Sequence, residues 1–388
     1  MQPIELQVDG AGPVALAFAL FARRLLGPAA RIALEPPAGA APAWLAARPL
    51  AVSHGSRLLV ERVARFPTEA APIRRIEVAL SGLPGRVRLA AEEFGLPALD
   101  WVVRHGRLAG ALREAADAAG LAAPGGPSCS DEPPGPAAAP APQSKAGPAE
   151  PPEPPGPVRV VADGDPGDDA RTLDHGQSAL LSEVTASRGQ AGLAIERFTP
   201  EGPLALLPLP PLAQQPPRWA LVWCADTALA AERMALAPDA FERALQQAFG
   251  DAFGALALAA ERVAVPLVRR VRRSVVQGRT AWIGNAAQSL HPVAGQGLNL
   301  GLRDAFELAQ AIALAAQRGA APEAGLAAYA SRRTADRGTM TLATDLMAAG
   351  LRAPLVRPLQ SAALALLDGS PALRGALARG FMHGFVRA

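Results

Sequence analysis

Two glycine clusters hold the residues of this chain whose types and spacing could do chemistry. The first is Gly10-x-Gly12-x-x-Ala15, set between a short strand, Ile4–Asp9, and an apolar helix, Val14–Leu26. In such a turn the first glycine allows the tight bend and the second lets a pyrophosphate approach the backbone. The small third residue keeps helix against strand, and the helix N-terminus faces the phosphate charge. A second strand, Arg31–Glu35, follows, and Glu35 ends it where a carboxylate can accept hydrogen bonds from a ribose. Alone, the match leaves two readings open, a dinucleotide site or an ordinary strand-to-helix turn. Strand one also carries Glu5, Gln7 and Asp9, whereas a parallel strand buried on both faces is apolar.

The second cluster runs from Gly284-Asn285-Ala286-Ala287-Gln288 through His291-Pro292-Val293-Ala294-Gly295-Gln296-Gly297-Leu298-Asn299 to Arg303-Asp304. It reads as a strand end, a glycine-punctuated loop and a helix start. Glycine inside a helix costs about 1 kcal/mol, so Gly295, Gly297 and Gly301 imply a backbone that must come close to a flat ligand. His291 invites a proton-transfer role; the alternative is that it only shapes the loop. His54, His105, His175 and His383 share no metal-ligand spacing, so no metal site is expected.

The elements that must position these clusters follow from pattern and composition. The chain has 388 residues, half of them hydrophobic and 19% charged, which excludes a disordered or fibrous protein. Its 38 Lys+Arg against 35 Asp+Glu make nucleic acid an unlikely principal partner. Two cysteines, Cys129 and Cys224, exclude a disulfide framework and fit a reducing cytosol. No export signal opens the sequence and no apolar run is long enough to span a bilayer, so the expectation is a cytoplasmic protein. Pro124–Pro157 contains 13 prolines, 5 glycines and no large apolar residue, and reads as a disordered insert. Beyond it Ala179–Ser187, Gly192–Phe198, Pro203–Leu209 and Trp219–Ala225 read as a mainly antiparallel sheet. Helical patterns cover Arg107–Ala119, Pro238–Gly250, Leu298–Arg318 and the tail from Thr339. The arginine runs 269–270 and 272–273 read as a solvated face.

The 284–304 run resembles the second flavin-binding motif of the class A flavoprotein aromatic hydroxylases, in their ubiquinone-biosynthesis branch. Ala162-Asp163-Gly164, Glu196-Arg197-Phe198-Thr199, Gly202-Pro203-Leu204-Ala205, Leu221-Val222-Trp223-Cys224 and Arg332-Arg333 with Asp336-Arg337 match in the same order. The resemblance covers nearly the whole chain apart from the proline-rich insert. It implies an α/β fold: an FAD/NAD(P)-binding, Rossmann-like domain, an antiparallel-sheet substrate domain and a helical C-terminal region. The FAD domain would take 1–50, 90–123, 158–171 and 279–338, the insert 124–157, the substrate domain 51–89 and 172–278, and the helical region 339–388.

Roles follow residue by residue from the resemblance. Gly10, Gly12, Ala15 and Glu35 would hold the ADP half of FAD, and Arg48 would lie near the flavin. Asp163 and Gly164 would lie near the pyrophosphate. Asn285, standing where the wider family has aspartate, would face the ribityl chain, with Pro292 beside the isoalloxazine. Gly295, Gln296, Gly297, Leu298 and Asn299 would present backbone N–H groups to its pyrimidine edge. The implied activity is FAD-dependent hydroxylation of a polyprenyl phenol in ubiquinone biosynthesis, with O2, an NAD(P)H donor and a flavin C4a-hydroperoxide as oxidant. Quinone-biosynthesis complex partners and peripheral contact with the inner face of the cell membrane go with it. The alternatives are a related flavin hydroxylase of another aromatic, or a flavin-poor structural subunit of a quinone-synthesis complex. A long isoprenoid tail gains about 0.8 kcal/mol per buried CH2, so such a substrate stays in the bilayer. The C-terminal stripe of Leu355, Val356, Leu359, Leu364, Leu366 and Leu367 with Arg352 and Arg357 is the expected lipid-facing surface.

Overall fold

The first 35 residues build the unit that the glycine spacing predicts. Strand Glu5–Asp9, helix Pro13–Leu26 and strand Arg31–Glu35 follow one another, and the two strands pair in parallel with Leu6 opposite Ile32 and Val8 opposite Leu34. Pro13 opens the helix, where a missing N–H costs least. Gly27, at a positive φ of 78°, closes it. The computed structural model describes residues 3–36, 43–121, 156–289, 295–350 and 357–383. The insert up to residue 155, His291, Pro292, Arg352, Leu355 and Val356 lie outside the described residues.

Three sheets organise the chain. The first runs Val276–Gln277, Thr280–Trp282, Val158–Val161, Glu5–Asp9, Arg31–Glu35, parallel except for the pairing of 276–277 with 280–282. Its core face buries Leu6, Val8, Leu34, Val158, Val160 and Ala281 against the helix Pro13–Leu26, which is apolar on every side. That helix also packs against His105–Ala118 and the 22-residue helix Gln296–Gln317. Val60 and Phe66, which follow the strand Pro49–Ser53, join the same core.

The polar residues of strand one now have a physical reason. Among the described residues the strand is covered on one face, so Leu6 and Val8 are buried while Glu5, Gln7 and Asp9 point the other way. There Glu5 meets Arg31 at 2.9 Å and Asp9 meets Arg159 at 2.5 Å, with Gln7 donating to Asp9. Alternation of this kind marks a half-solvated sheet.

The large sheet runs Gln288–Ser289, Val263–Arg272, Ala170–Ala186, Arg218–Asp226, Pro203–Pro208, Leu193–Phe198, Arg75–Leu80, Arg86–Ala90, with Leu256–Leu258 branching from Ala170–Ala186. It is antiparallel except for the parallel pairing of Leu193–Phe198 with Arg75–Leu80. One face carries Leu180, Val184, Leu204, Leu206, Trp219 and Trp223 and is buried with the helices Thr227–Ala235 and Pro238–Phe249. A three-stranded sheet, Pro49–Ser53, Asp100–Arg104, Ala71–Ile73, joins the two larger ones. The strand Ala170–Ala186 starts nine residues before the sequence pattern suggests. Its first half, Arg-Thr-Leu-Asp-His-Gly-Gln, is polar, and backbone pairing with Val263–Arg272 makes it a strand.

The C-terminal helices Arg357–Gly369 and Pro371–His383 follow a long helix, Pro322–Gly350, which spans both sides of residue 339. The backbone N–H of Arg88 donates to the Asp368 carboxylate at 3.1 Å, which covers the open edge of the large sheet. Gly85 lets the hairpin meet this helix, because a Cβ there would lie 2.5 Å from the Cα of Ser361.

Beneath the second glycine cluster lies a fully buried carboxylate, Asp304. It accepts from Gly284 N at 3.2 Å, Gln288 Nε2 at 2.9 Å and Arg333 Nε at 2.7 Å. Arg337 adds hydrogen bonds to the Gln288 side chain, to Ala287 O and to Arg272 O. Replacing Asp304 with alanine takes from the buried Arg333 guanidinium its closest partner and leaves it Glu307 at 3.5 Å, so we expect a loss of about 3–5 kcal/mol of stability. Urea unfolding measured beside the parent chain reads that loss directly.

Candidate functional site

A continuous cleft of about 1510 Å³ lies where the parallel sheet, the large sheet and the C-terminal helices converge. Ligand cavities usually measure roughly 300–1,000 Å³, so this one has room for more than one molecule. Of the residues singled out in the sequence, Gly10, Gly12, Glu35, Arg48, Asp163, Gly164, Asn285, Gly295, Gln296, Gly297 and Leu298 line it. His291 and Pro292 lie outside the described residues. Ala15 and Asn299 stand behind the wall. Ala15 is fully buried, 2.9 Å from where a Cβ on Gly10 would fall. Asn299 accepts from Ser53 N at 2.9 Å and donates to Ala51 O and Gly295 O at 3.1 Å each. Its side chain thus pins the second glycine cluster to the strand Pro49–Ser53.

At the glycine-loop end the donors are anion donors. The N–H groups of Ala11 and Gly12 both donate to the Asp163 carboxylate, each at 2.7 Å, at the N-terminus of the 14-residue helix. A Cβ on Gly12 would fall 2.7 Å from Asp163 Oδ1. Two converging N–H groups and a helix N-terminus fit a pyrophosphate, and Glu35 lines the same end for a ribose. The residues present therefore fit FAD. Asp163 accepts both of these N–H groups in this structure and would have to yield them to a bound phosphate, a contact that a motif read in sequence does not reveal.

His105 also lines this end, next to Arg48, whose carbonyl accepts its backbone N–H at 2.8 Å. Burial and the Arg48 charge hold His105 below its ordinary value, with Asp163 opposing them. The loop beyond Gly164 is clamped by the arginines read as a solvated face. Arg270 pairs with Asp165 and donates to Gly167 O at 3.1 Å. Arg272 donates to Pro166 O at 2.6 Å, and its guanidinium stacks 3.9 Å above the Trp282 ring.

At the second glycine cluster, Gly295 takes a φ of 60° and starts the helix Gln296–Gln317. Gly301 sits where a Cβ would meet Val14 Cγ2 at 2.8 Å and Gly284 Cα at 3.1 Å, so it serves helix packing. Gly297 differs: nothing lies within 4 Å of a Cβ there, and the position opens into the cleft.

The other end of the cleft is the open face of the large sheet. Strand alternation brings Ala179, Leu181, Ala194, Phe198, Ala205, Leu207, Val222 and Leu267 to it. Leu364, Leu367, Leu377, Ala378 and Met382 from the C-terminal helices close over this end. The C-terminal stripe therefore divides: Leu364 and Leu367 turn into the cleft, while Leu359 and Leu366 are 71% and 63% exposed, with Leu373 at 48%. Arg357 donates to Ser81 O at 2.5 Å. Among the acids on the cleft wall that were not singled out as site residues are Asp100 and Glu196. Burial pushes Asp100 up to about 6 and Glu196 up to about 7. For Glu196 the available signal was a lone carboxylate at an inward position of the alternating run Leu-Ala-Ile-Glu-Arg-Phe.

Comparison with known proteins agrees with this geometry. Residues 176–342 match the family described as FAD binding domain. The chain is 37% identical to ubiquinone hydroxylase UbiL of Rhodospirillum rubrum over 179 residues, 46% of this chain and 41% of that protein. It is 33% identical to 3-demethoxyubiquinol 3-hydroxylase of Escherichia coli, over 45% of this chain and 44% of that one. These matches span less than half the length of the curated relatives. Over that stretch the chain is similar to proteins named as ubiquinone-biosynthesis hydroxylases. The fold is similar to Klebsiella pneumoniae HpxO, solved in complex with FAD and uric acid, with a TM-score of 0.64 at 15% identity, covering 99% of this chain and 97% of that one. The two proteins thus share a fold.

Two glycine substitutions separate folding from flavin binding. Gly12→Val crowds Asp163 and the anion donors, and Gly297→Val fills open cleft space without touching protein. Both are expected to be purified colourless after expression with ample FAD. Gly297→Val is expected to keep the parent circular-dichroism spectrum and urea midpoint. A yellow Gly297→Val protein would place the isoalloxazine elsewhere.

Proposed function

We propose that this chain is an FAD-dependent aromatic monooxygenase that hydroxylates the ring of a polyprenyl phenol in ubiquinone biosynthesis, with NAD(P)H as electron donor. The observation that carries the reading is the continuity of the cleft. One end offers anion donors and a ribose-accepting carboxylate, the other an apolar sheet face closed by apolar helices. The homology to proteins named as ubiquinone hydroxylases supports the substrate class.

Bound FAD supplies the redox chemistry that activates O2. Ala11 and Gly12 would hold its pyrophosphate and Glu35 its ribose, with Arg48 and Asn285 along its length. The N–H groups from Gly295 to Leu298 would face the ring system, held in register by Asn299. The sheet face and Leu364, Leu367 and Met382 exclude water from the reacting carbon and leave room for a prenylated ring.

The exposed Leu359, Leu366 and Leu373 form our candidate lipid contact. Among the described residues no helix is long and apolar enough to cross a membrane. A long-tailed substrate therefore has to be met at the bilayer surface.

The test offers FAD-loaded protein NAD(P)H, O2 and anionic vesicles holding a polyprenyl phenol. The expected product is heavier by one oxygen atom and forms with NAD(P)H consumption. A variant with Leu359, Leu366 and Leu373 changed to glutamate is expected to lose activity on vesicles and keep it on a short-chain, water-soluble phenol. Protein that binds no flavin would sink the enzyme reading and favour a structural subunit. Equal activity of both chains on vesicles would remove the proposed lipid contact alone.

A further inference from the structure

The cleft-facing side of the large sheet is an apolar wall with two carboxylates in it, and the two are not alike. Glu183 is held by Arg104 at 2.5 Å and by Arg218 at 3.0 Å, which ties the three-stranded sheet to the large one. Glu196 has neither an ion pair nor a side-chain hydrogen bond among the described residues. Strand register places it in the middle of a cross-strand row. Val78 lies opposite it on one side and Ala205 on the other, with Val87 beyond the first and Val222 and Leu181 beyond the second. The next row on the same face holds Phe198, Pro203, Cys224 and Ala179. Every neighbour along the row is an apolar side chain. A carboxylate with nothing to bind it is costly in such a place, and a leucine or valine would pack there better. The position makes chemical sense if the carboxylate's partner is the ligand.

We propose that Glu196 accepts the proton of the substrate's phenolic hydroxyl, as the unpaired carboxylate on the apolar wall at the substrate end of the cleft. The inference rests on the monooxygenase reading and adds a catalytic residue to it. In the step, the phenolic O–H bond breaks and the proton joins a carboxylate oxygen of Glu196. The electron pair stays on the phenolate oxygen, where it raises the electron density of the ring that the activated oxygen attacks. The proton later leaves through the open cleft to solvent.

The surroundings suit a base working near neutrality. Burial moves the Glu196 carboxyl up to about 7, so the accepting form is present above that pH and lost below it. On its own face, Cys224 is pushed up to about 12 by burial and by Glu196, and stays a thiol. Glu183 is neutralised by its two arginines. Across the cleft stand Asp100, Arg48 and His105, and on the C-terminal helices Arg374, which is paired with Glu93 at 2.7 Å. Asp100 is the other acid whose titration could shape a pH profile there.

The experiment compares FAD-loaded wild type, Glu196→Gln and Asp100→Asn on a short-chain prenylated phenol, with two readouts. In turnover, wild-type kcat is expected to fall below a limb near pH 7. Glu196→Gln should lose about 100-fold or more in kcat, keep its flavin content, and lack that limb. Asp100→Asn should retain the limb. In binding, read by ultraviolet difference spectra above the limb, the bound phenol should absorb as phenolate in wild type and as neutral phenol in Glu196→Gln. A Glu196→Gln enzyme with wild-type kcat and limb overturns the proposal. So does a wild type that hydroxylates a phenol bound in its neutral form, and either result leaves the monooxygenase reading standing. Wild-type protein that neither binds nor turns over any phenol overturns both.

Discussion

A carboxylate with no exposed surface has to be neutralised and hydrogen-bonded where it stands, and Asp304 meets that demand with groups from two separate segments. Arg333 comes from the helix Pro322–Gly350, and the Gly284 N–H and Gln288 amide come from the turn beneath the cleft. Arg337 extends the cluster to the carbonyl of Arg272 on the large sheet. The parallel sheet, the large sheet and the long helices are thereby fixed to one another at a point directly under Asn285. Much of the cleft geometry follows. Gly301 brings the helix Gln296–Gln317 against Val14 and Gly284, and Asn299 on that helix anchors the strand Pro49–Ser53. The two glycine clusters, nearly 280 residues apart in sequence, face one cavity because this packing leaves no slack between them.

The strand–turn–helix–strand opening and the glycine-rich second cluster were legible because they are local: each is set by backbone constraints within a stretch of about 30 residues or fewer. The antiparallel strands near 193–198, 203–208 and 218–226 were legible from alternation for the same reason. The first half of Ala170–Ala186 was not, because its strand character comes from a partner about 100 residues away. Glu5, Gln7 and Asp9 looked out of place in a parallel strand only on the premise that both faces are covered. With one face paired to Arg31 and Arg159, the alternation is what the packing requires.

The site was legible to the extent that its chemistry lies in backbone groups. Gly10, Gly12, Gly297 and Glu35, singled out by spacing, all line the cleft. Roles created by tertiary contact were hidden. Asp163 satisfies the glycine loop's donors from more than 150 residues away. Arg270 and Arg272, which looked like solvated charge, clamp the loop that carries Asp163 and Gly164. Asn299 proved to be a strut behind the wall. Glu196 gains its meaning only when register puts it in a row with Val78, Ala205 and Val222, with no arginine in that row among the described residues.

The proposed function requires that one cleft bind flavin at its glycine end and a hydrophobic phenol against the sheet face, close enough for the two to interact. The most direct measurement is the visible difference spectrum of FAD-loaded protein titrated with a short-chain prenylated phenol, in the parent chain and in Ala205→Trp. The account predicts a saturable change in the flavin bands with one phenol per flavin, abolished when the tryptophan fills the substrate end while flavin content is unchanged. Flavin bands that do not respond to the phenol, or an equal response in Ala205→Trp, would contradict it.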